Sequence, residues 1–274
     1  MIEAQALTKI FPGRRRGARR GDVVAADHLD FHCAGGAVYG LLGMNGAGKT
    51  STLRMLGTVL APSSGTATVC GHDVRRAGDQ VRRHIGYLSG DTRLYDRLTA
   101  REVLGYFSRL QGADRARTRR RTAELIERFA LDEIADRRVG RLSTGQKQRV
   151  NLARAVIHDP PVLILDEPST GLDVMGAREV GRLILEARDE GRCVILSTHI
   201  MREAERLCDR VAIIHQGRIL VEDAPAALCG DGRDLEDVFA ELVEAADAGR
   251  GGAASDRRPD DPAHGRRTTE PRHA

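Results

Sequence analysis

Apolar and polar positions along the chain change period several times. Residues 2–11 alternate loosely and predict a first strand, and residues 23–32 predict a returning one. Residues 38–42 are almost wholly apolar and end in glycine, the pattern of a buried strand. Residues 49–60 predict a helix, stopped by Pro62 and Ser63-Ser64-Gly65, and residues 66–70 and 85–88 predict further short strands. At residue 99 the character changes. Thr99 is placed to cap a helix, with Glu102 three residues on as its capping-box partner. Val103, Leu104, Phe107 and Leu110 follow at helical spacing. After Gly112, residues 114–130 predict a second helix with Leu125, Ile126 and Phe129 on one side. From Ser143 a third runs to His158, with Val150, Ala153 and Ile157 on one face. Strand and helix then alternate: strand 162–165, helix 176–189, strand 193–197, helix 201–208, and strands 211–215 and 218–221 about the turn Gln216-Gly217. A last helix, 235–246, keeps Leu235, Val238, Phe239 and Leu242 on one stripe. From residue 247 Gly, Arg, Pro and Asp dominate, and disorder is expected.

At 274 residues the chain has ample length to bury a core, and 41% apolar with 30% charged residues is the balance of a globular protein. No stretch approaches the roughly 18–20 consecutive apolar residues of a membrane span. The start lacks the basic and then apolar segments of a secretory leader. A cytosolic chain is expected, with any membrane role carried by partners. The net charge of +4 is a mild excess. All but three of the 43 basic residues are arginine (the lysines are Lys9, Lys49 and Lys147), a bias of the whole sequence and not of one face. Residues 13–21 hold five arginines among Gly and Ala, and read as a solvated loop ahead of a lipid- or nucleic-acid-binding patch. Aromatics are 3% and Trp is absent, so platforms for stacking bases are few and no nucleic-acid partner is expected. The five cysteines are odd in number, widely spaced and without a CxxC pair. They read as small hydrophobes in a reducing compartment.

The chemistry concentrates in a few runs. Gly43-Met44-Asn45-Gly46-Ala47-Gly48-Lys49-Thr50, followed by Ser51, is G-x-x-x-x-G-K-[ST] set between a predicted buried strand and a helix. Glycines let successive N–H groups turn inward around a phosphate, and the helix N-terminus adds its positive dipole end. Lys49 supplies a compact cation for the β- and γ-phosphates of a nucleotide, and the Thr50 hydroxyl a ligand for Mg²⁺. Residues 162–165 form an apolar strand followed by Asp166-Glu167, at the end of the strand where open α/β sheets bind ligands. Asp166 is the expected Mg²⁺ partner. Glu167 is the expected base for an attacking water. Leu142-Ser143-Thr144-Gly145-Gln146-Lys147 reads as a capped helix start, a second place where N–H groups meet an anion.

This last run resembles the LSGGQ signature of ATP-binding cassette (ABC) ATPases, and the remaining motifs of that family follow in order. Ser169-Thr170-Gly171-Leu172-Asp173 is similar to the D-loop, and Leu196-Ser197-Thr198-His199 to the strand end bearing the switch histidine. Phe11 matches the place where an aromatic stacks on adenine. The resemblance covers about residues 2–245. It implies a P-loop NTPase fold of the ABC ATPase kind: an α/β mixed sheet core, an antiparallel β subdomain, and an inserted helical subdomain at about 99–158. The expected domain is 1–246, with a disordered tail at 247–274. The resemblance also implies ATP with Mg²⁺, and a homodimer or heterodimer enclosing two ATP. Ser143, Thr144, Gly145 and Gln146 of one copy would then clasp the nucleotide held by the other. His199 would sense the γ-phosphate and share the catalytic site with Glu167.

Two departures stand out. Thr144 replaces the usual glycine of the signature, and a β-branched residue narrows the allowed backbone. Gly90 stands where most members carry a Mg²⁺-binding glutamine. Its role stays open between Ser89, Asp91 and water. Residues 88–102, the signature with Thr144, His158-Asp159-Pro160-Pro161, residues 170–175 and Leu235-Glu236-Asp237-Val238-Phe239 together are similar to the ATPases of two-component sodium-efflux ABC exporters. That implies integral membrane permease subunits as partners and a peripheral place at the inner face of the cell membrane. The alternative is a non-transport ABC ATPase acting on DNA or ribosomes. The interval from Gly90 to Ser143 is too short for the coiled-coil insertion of repair members, and the chain carries one cassette where translation-type members usually carry two.

Overall fold

The computed structural model describes residues 1–13, 21–89, 94–230 and 232–254. The Arg-rich stretch 14–20, Gly90, Asp91 and residues 255–274 lie outside the described residues.

Among the described residues ten strands form two sheets. The first is antiparallel, in the order β2 (Val23–Cys33), β1 (Ile2–Phe11), β4 (Ser64–Val69), β5 (His72–Asp73). The second has the order β10 (Arg218–Asp223), β9 (Arg210–His215), β3 (Ala37–Leu42), β8 (Cys193–Thr198), β7 (Val162–Asp166), β6 (Ile85–Leu88). Neighbours from β6 to β9 are parallel, and only β10 runs antiparallel. The central strands bury both faces, which is why they read as unbroken apolar runs. Leu163, Leu165, Val194 and Leu196 face the helices, while Val162, Ile164, Cys193 and Ile195 face the antiparallel sheet. Helix α1 (Lys49–Leu56) contributes Leu53, Met55 and Leu56 to the core shared by the two sheets.

On the other face lie α3 (Ala100–Leu110), α4 (Arg115–Arg128) and α5 (Thr144–Ala155), preceded in the chain by the short α2 (Gly78–His84). Thr99 caps α3 through the expected box: its hydroxyl accepts from Glu102 N at 3.1 Å, and its own N–H donates to Glu102 Oε2 at 2.8 Å. Two short 3₁₀ turns, Asp132–Ile134 and Val139–Arg141, bring the chain from α4 to α5. The remaining helices are α6 (Val174–Asp189), α7 (Met201–Leu207), α8 (Pro225–Cys229) and α9 (Leu235–Ala254). The mixed sheet, the antiparallel sheet and the helical layer are those that the sequence implied. The short elements β5, α2 and α8 were not foreseen.

The expectation of disorder is corrected for residues 247–254, which continue α9, while the rest of that stretch lies outside the described residues. Asp247 explains part of this: its Oδ1 accepts from Gln216 Nε2 at 3.0 Å and lies 2.9 Å from His215 Nε2. Residues 243–254 also hold five alanines, good helix formers that the Gly and Arg content obscured.

Cys33, Cys193 and Cys208 are buried free thiols, as expected, while Cys70 and Cys229 are half-buried. His158 sits between α5 and β7, with Nε2 3.0 Å from Ile85 O. Burial holds its pKa below the ordinary 6.5, against an opposing effect of the Ile85 carbonyl. The unfolded chain therefore takes up a proton first as pH falls through 6.5, and stability should drop from there down to the lower folded value. Melting temperature followed from about pH 7 to 5 should show this slope, and His158→Gln should flatten it. An unchanged slope in the variant would assign the acid sensitivity to other groups.

Candidate nucleotide site

The loop after β3 is held by close backbone approaches. Gly48 has φ +112°, and a Cβ there would stand 2.1 Å from Ala25 O of β2. At Gly43 a Cβ would stand 2.4 Å from Ile214 O of β9. Only glycine fits either place. The loop is tied down further by Gly217 N, which donates to Ala47 O at 2.8 Å. Gly46 also takes positive φ.

Lys49 opens α1 and is buried, at 4% exposure. Its Nζ donates to Gly43 O at 2.7 Å and Met44 O at 3.2 Å, and lies 3.6 Å from Glu167 Oε1. Burial pulls its pKa down, while Glu167 and then Asp166 pull it back up. Thr50 Oγ1 donates to Asp166 Oδ1 at 3.1 Å. Ser51 follows on the same turn, half-buried.

Asp166 ends β7 and is buried. A second hydroxyl reaches it: Ser197 Oγ donates to Asp166 Oδ1 at 2.6 Å. Ser197 carries no motif of its own. Its signal is register, since β7 and β8 pair Asp166 with Ser197, two residues before His199. Glu167 then takes a left-handed φ of 49°, unusual for a residue with a side chain. Its N–H is within reach of both Ser197 Oγ (3.0 Å) and Ser197 O (3.2 Å). Thr170 Oγ1 donates to Glu167 Oε2 at 3.0 Å, and His199 Nδ1 lies 3.4 Å from Oε1. The Glu167 carboxylate thus stands between a lysine and an imidazole, with a hydroxyl fixing its other oxygen. These groups meet where the parallel strands end.

A cavity of about 570 Å³ opens here, lined by Gly43, Met44, Asn45, His199, Ile200 and Met201 among others. Ser143 caps α5 in a full capping box with Gln146: Ser143 Oγ accepts from Gln146 N at 3.3 Å, and Gln146 Oε1 from Ser143 N at 3.0 Å. Ser143, Gly145 and Gln146 line a different cavity, of about 540 Å³, together with Leu172 and Asp173. The two cavities share no lining residue. Thr144 sits at the first helical position without positive φ, so its β-branch costs the backbone nothing there. Phe11 ends β1, 38% exposed, paired with Val23. That places it two residues along β2 from Ala25, which packs on Gly48. Lys9 Nζ lies 5.2 Å from the centre of its ring.

The ABC transporter family profile matches residues 26–170. The ABC transporter ATP-binding protein NatA of Bacillus subtilis is 42% identical over 207 residues, covering 74% of this chain and 84% of NatA. The Nod factor export ATP-binding protein I of Paraburkholderia xenovorans is 42% identical over 221 residues, covering 80% of this chain and 73% of that one. The daunorubicin/doxorubicin resistance ATP-binding protein DrrA of Streptomyces peucetius is 40% identical over 227 residues, covering 83% and 66%. Among solved structures, the ATP binding subunit of an ABC transporter superposes with a TM-score of 0.76 at 28% identity, over 88% of this chain and 98% of that one. A dimeric ATP-binding cassette in a post-hydrolysis state with ADP and Pi shares the fold, with a TM-score of 0.73 at 23% identity over 82% and 98%. Among the described residues no helix is long and apolar enough to cross a membrane. Motifs, geometry and relatives agree: the chain belongs to the ABC transporter family and is one of its ATPase subunits.

Proposed function

We propose that this subunit powers the export of sodium through separately encoded integral membrane permease subunits, working at the inner face of the cell membrane as a dimer around two ATP molecules. The observation that carries the hydrolytic part is the placing of Glu167 between Lys49, His199 and Thr170. In this reading Glu167 takes the proton of the attacking water, and His199 reaches the γ-phosphate. Lys49 turns from the loop carbonyls to the β- and γ-phosphates, which the N–H groups of residues 43–51 surround. Phe11 lies against adenine. The hard oxygens of Thr50 and Asp166, already 3.1 Å apart, suit Mg²⁺. Bound there, the ion would neutralise charge on the β- and γ-oxygens. Because Ser143, Gly145 and Gln146 line a cavity apart from the phosphate loop, a second copy is needed to bring a signature helix to each ATP.

Export as the direction is supported by the relatives named for Nod factor export and for drug resistance. Sodium is supported by the exporter-like runs at 88–102, 158–161 and 170–175. The test is reconstitution with a candidate integral membrane permease subunit, in inside-out vesicles. ATP should drive uptake of radioactive sodium. ATP-driven uptake of an amphiphilic drug without sodium would overturn the cargo and leave the exporter standing. A subunit that binds no membrane protein would overturn both.

A further inference from the structure

Glu203 is buried at 7% exposure, on the first turn of α7, and among the described residues no cation pairs with it. A carboxylate taken out of water needs compensating donors. It has two. Ser169 Oγ donates to Oε1, and Thr198 Oγ1 donates to Oε2 at 2.6 Å. Both hydroxyls are themselves buried, Ser169 at 6% and Thr198 at 2% exposure. Thr198 Oγ1 also accepts from Ile200 N at 3.0 Å, so its bonds bracket His199 on both sides.

The two arms of Glu203 converge on one group. Ser169 precedes Thr170, whose hydroxyl holds Glu167 Oε2. Thr198 precedes His199, whose Nδ1 lies 3.4 Å from Glu167 Oε1. The connections close a ring through the loop after β7, α7 and the end of β8. An apolar side chain could fill the same space without the desolvation cost of a buried charge. What an apolar side chain could not do is fix two hydroxyls at once.

We propose that Glu203 is a positioning residue for hydrolysis: it locks the loop at Ser169–Thr170 and the strand end at Thr198–His199 into one unit around Glu167. This rests on the reading of Glu167 and His199 as the hydrolytic pair. Displacing reacting groups by about an ångström can cost up to about a hundredfold in rate, whereas the phosphate loop that binds ATP makes no contact with Glu203 in this ring.

Three variants test this by steady-state turnover, nucleotide binding and melting temperature. Glu203→Ala should lower kcat at least about tenfold while KM for ATP stays within about twofold. Glu203→Gln should recover most of kcat, because its amide oxygen accepts from one hydroxyl and its amide nitrogen donates to the other. Leu29→Ala, a core truncation in β2, should lower the melting temperature without the kcat loss. Should Glu203→Ala not fold, Ser169→Ala and Thr198→Val each remove one arm and should each lower kcat in part. A wild-type kcat in Glu203→Ala, or in both single-arm variants, overturns the proposal. So does a Gln variant as slow as Ala, or a Leu29→Ala variant that loses as much kcat. Glu167→Gln in the same assay separates the two levels. If it retains turnover, the hydrolytic reading itself fails. If it is inactive while Glu203→Ala is active, only the positioning role fails.

Discussion

Lys49→Ala should remove nearly all ATP turnover and weaken nucleotide binding. The lysine is the cation at the start of α1, buried at 4% exposure and held by two carbonyls of the loop it would serve. With a phosphate present the ammonium exchanges those neutral carbonyl acceptors for anionic oxygens, so that both partners of each bond are charged. Loss of one such preorganised donor from a water-excluded site costs about 10²–10³ in rate. A second consequence follows from the ion pair at 3.6 Å. Without Lys49, Glu167 keeps His199 and Thr170 beside it among the described residues, and its carboxylate faces the γ-phosphate with less compensation. Turnover at saturating ATP within about twofold of wild type would remove the phosphate-loop assignment. Melting temperature belongs in the same experiment, because Gly43 O loses its donor in the variant.

Glu167→Gln should convert a transient dimer into one that ATP stabilises. The amide cannot take up the proton of the attacking water, so the chemical step stops. The rest of the site is spared: Thr50, Asp166 and Ser197 keep their contacts, and the amide can still accept from Thr170 Oγ1. Removing a negative charge from beside the γ-phosphate lessens repulsion in the closed state. With binding kept and turnover blocked, ATP should stay between Lys49 of one copy and Ser143–Gly145 of the other. Size-exclusion chromatography with Mg-ATP should show a dimer, and adding Ser143→Arg should abolish it by filling the clasp. A Glu167→Gln protein that hydrolyses ATP at the wild-type rate would show that Glu167 is not the base. One that binds ATP yet stays monomeric would show that the sandwich needs the membrane partner.

The features legible along the chain are local. The glycines of residues 43–48 announce their loop because they and Lys49 are neighbours along the chain, and the backbone they free is their own. The Ser143–Gln146 and Thr99–Glu102 capping boxes are likewise complete within one helical turn. The central strands were legible because burial on both faces leaves an unbroken apolar run. Short elements such as β5 and α8 carry too few residues for a period to show. Tertiary structure decided everything that depends on register and docking. Ser197 and Glu203 carry no motif of their own. One matters because β8 sets it opposite Asp166, the other because α7 packs its carboxylate against a loop 34 residues away. The helical end of α9 likewise waited on the hairpin that offers His215 and Gln216 to Asp247. A hydrogen bond between distant segments is fixed only when sheets and helices have packed, because its two partners have no spacing in the chain that a pattern could reveal.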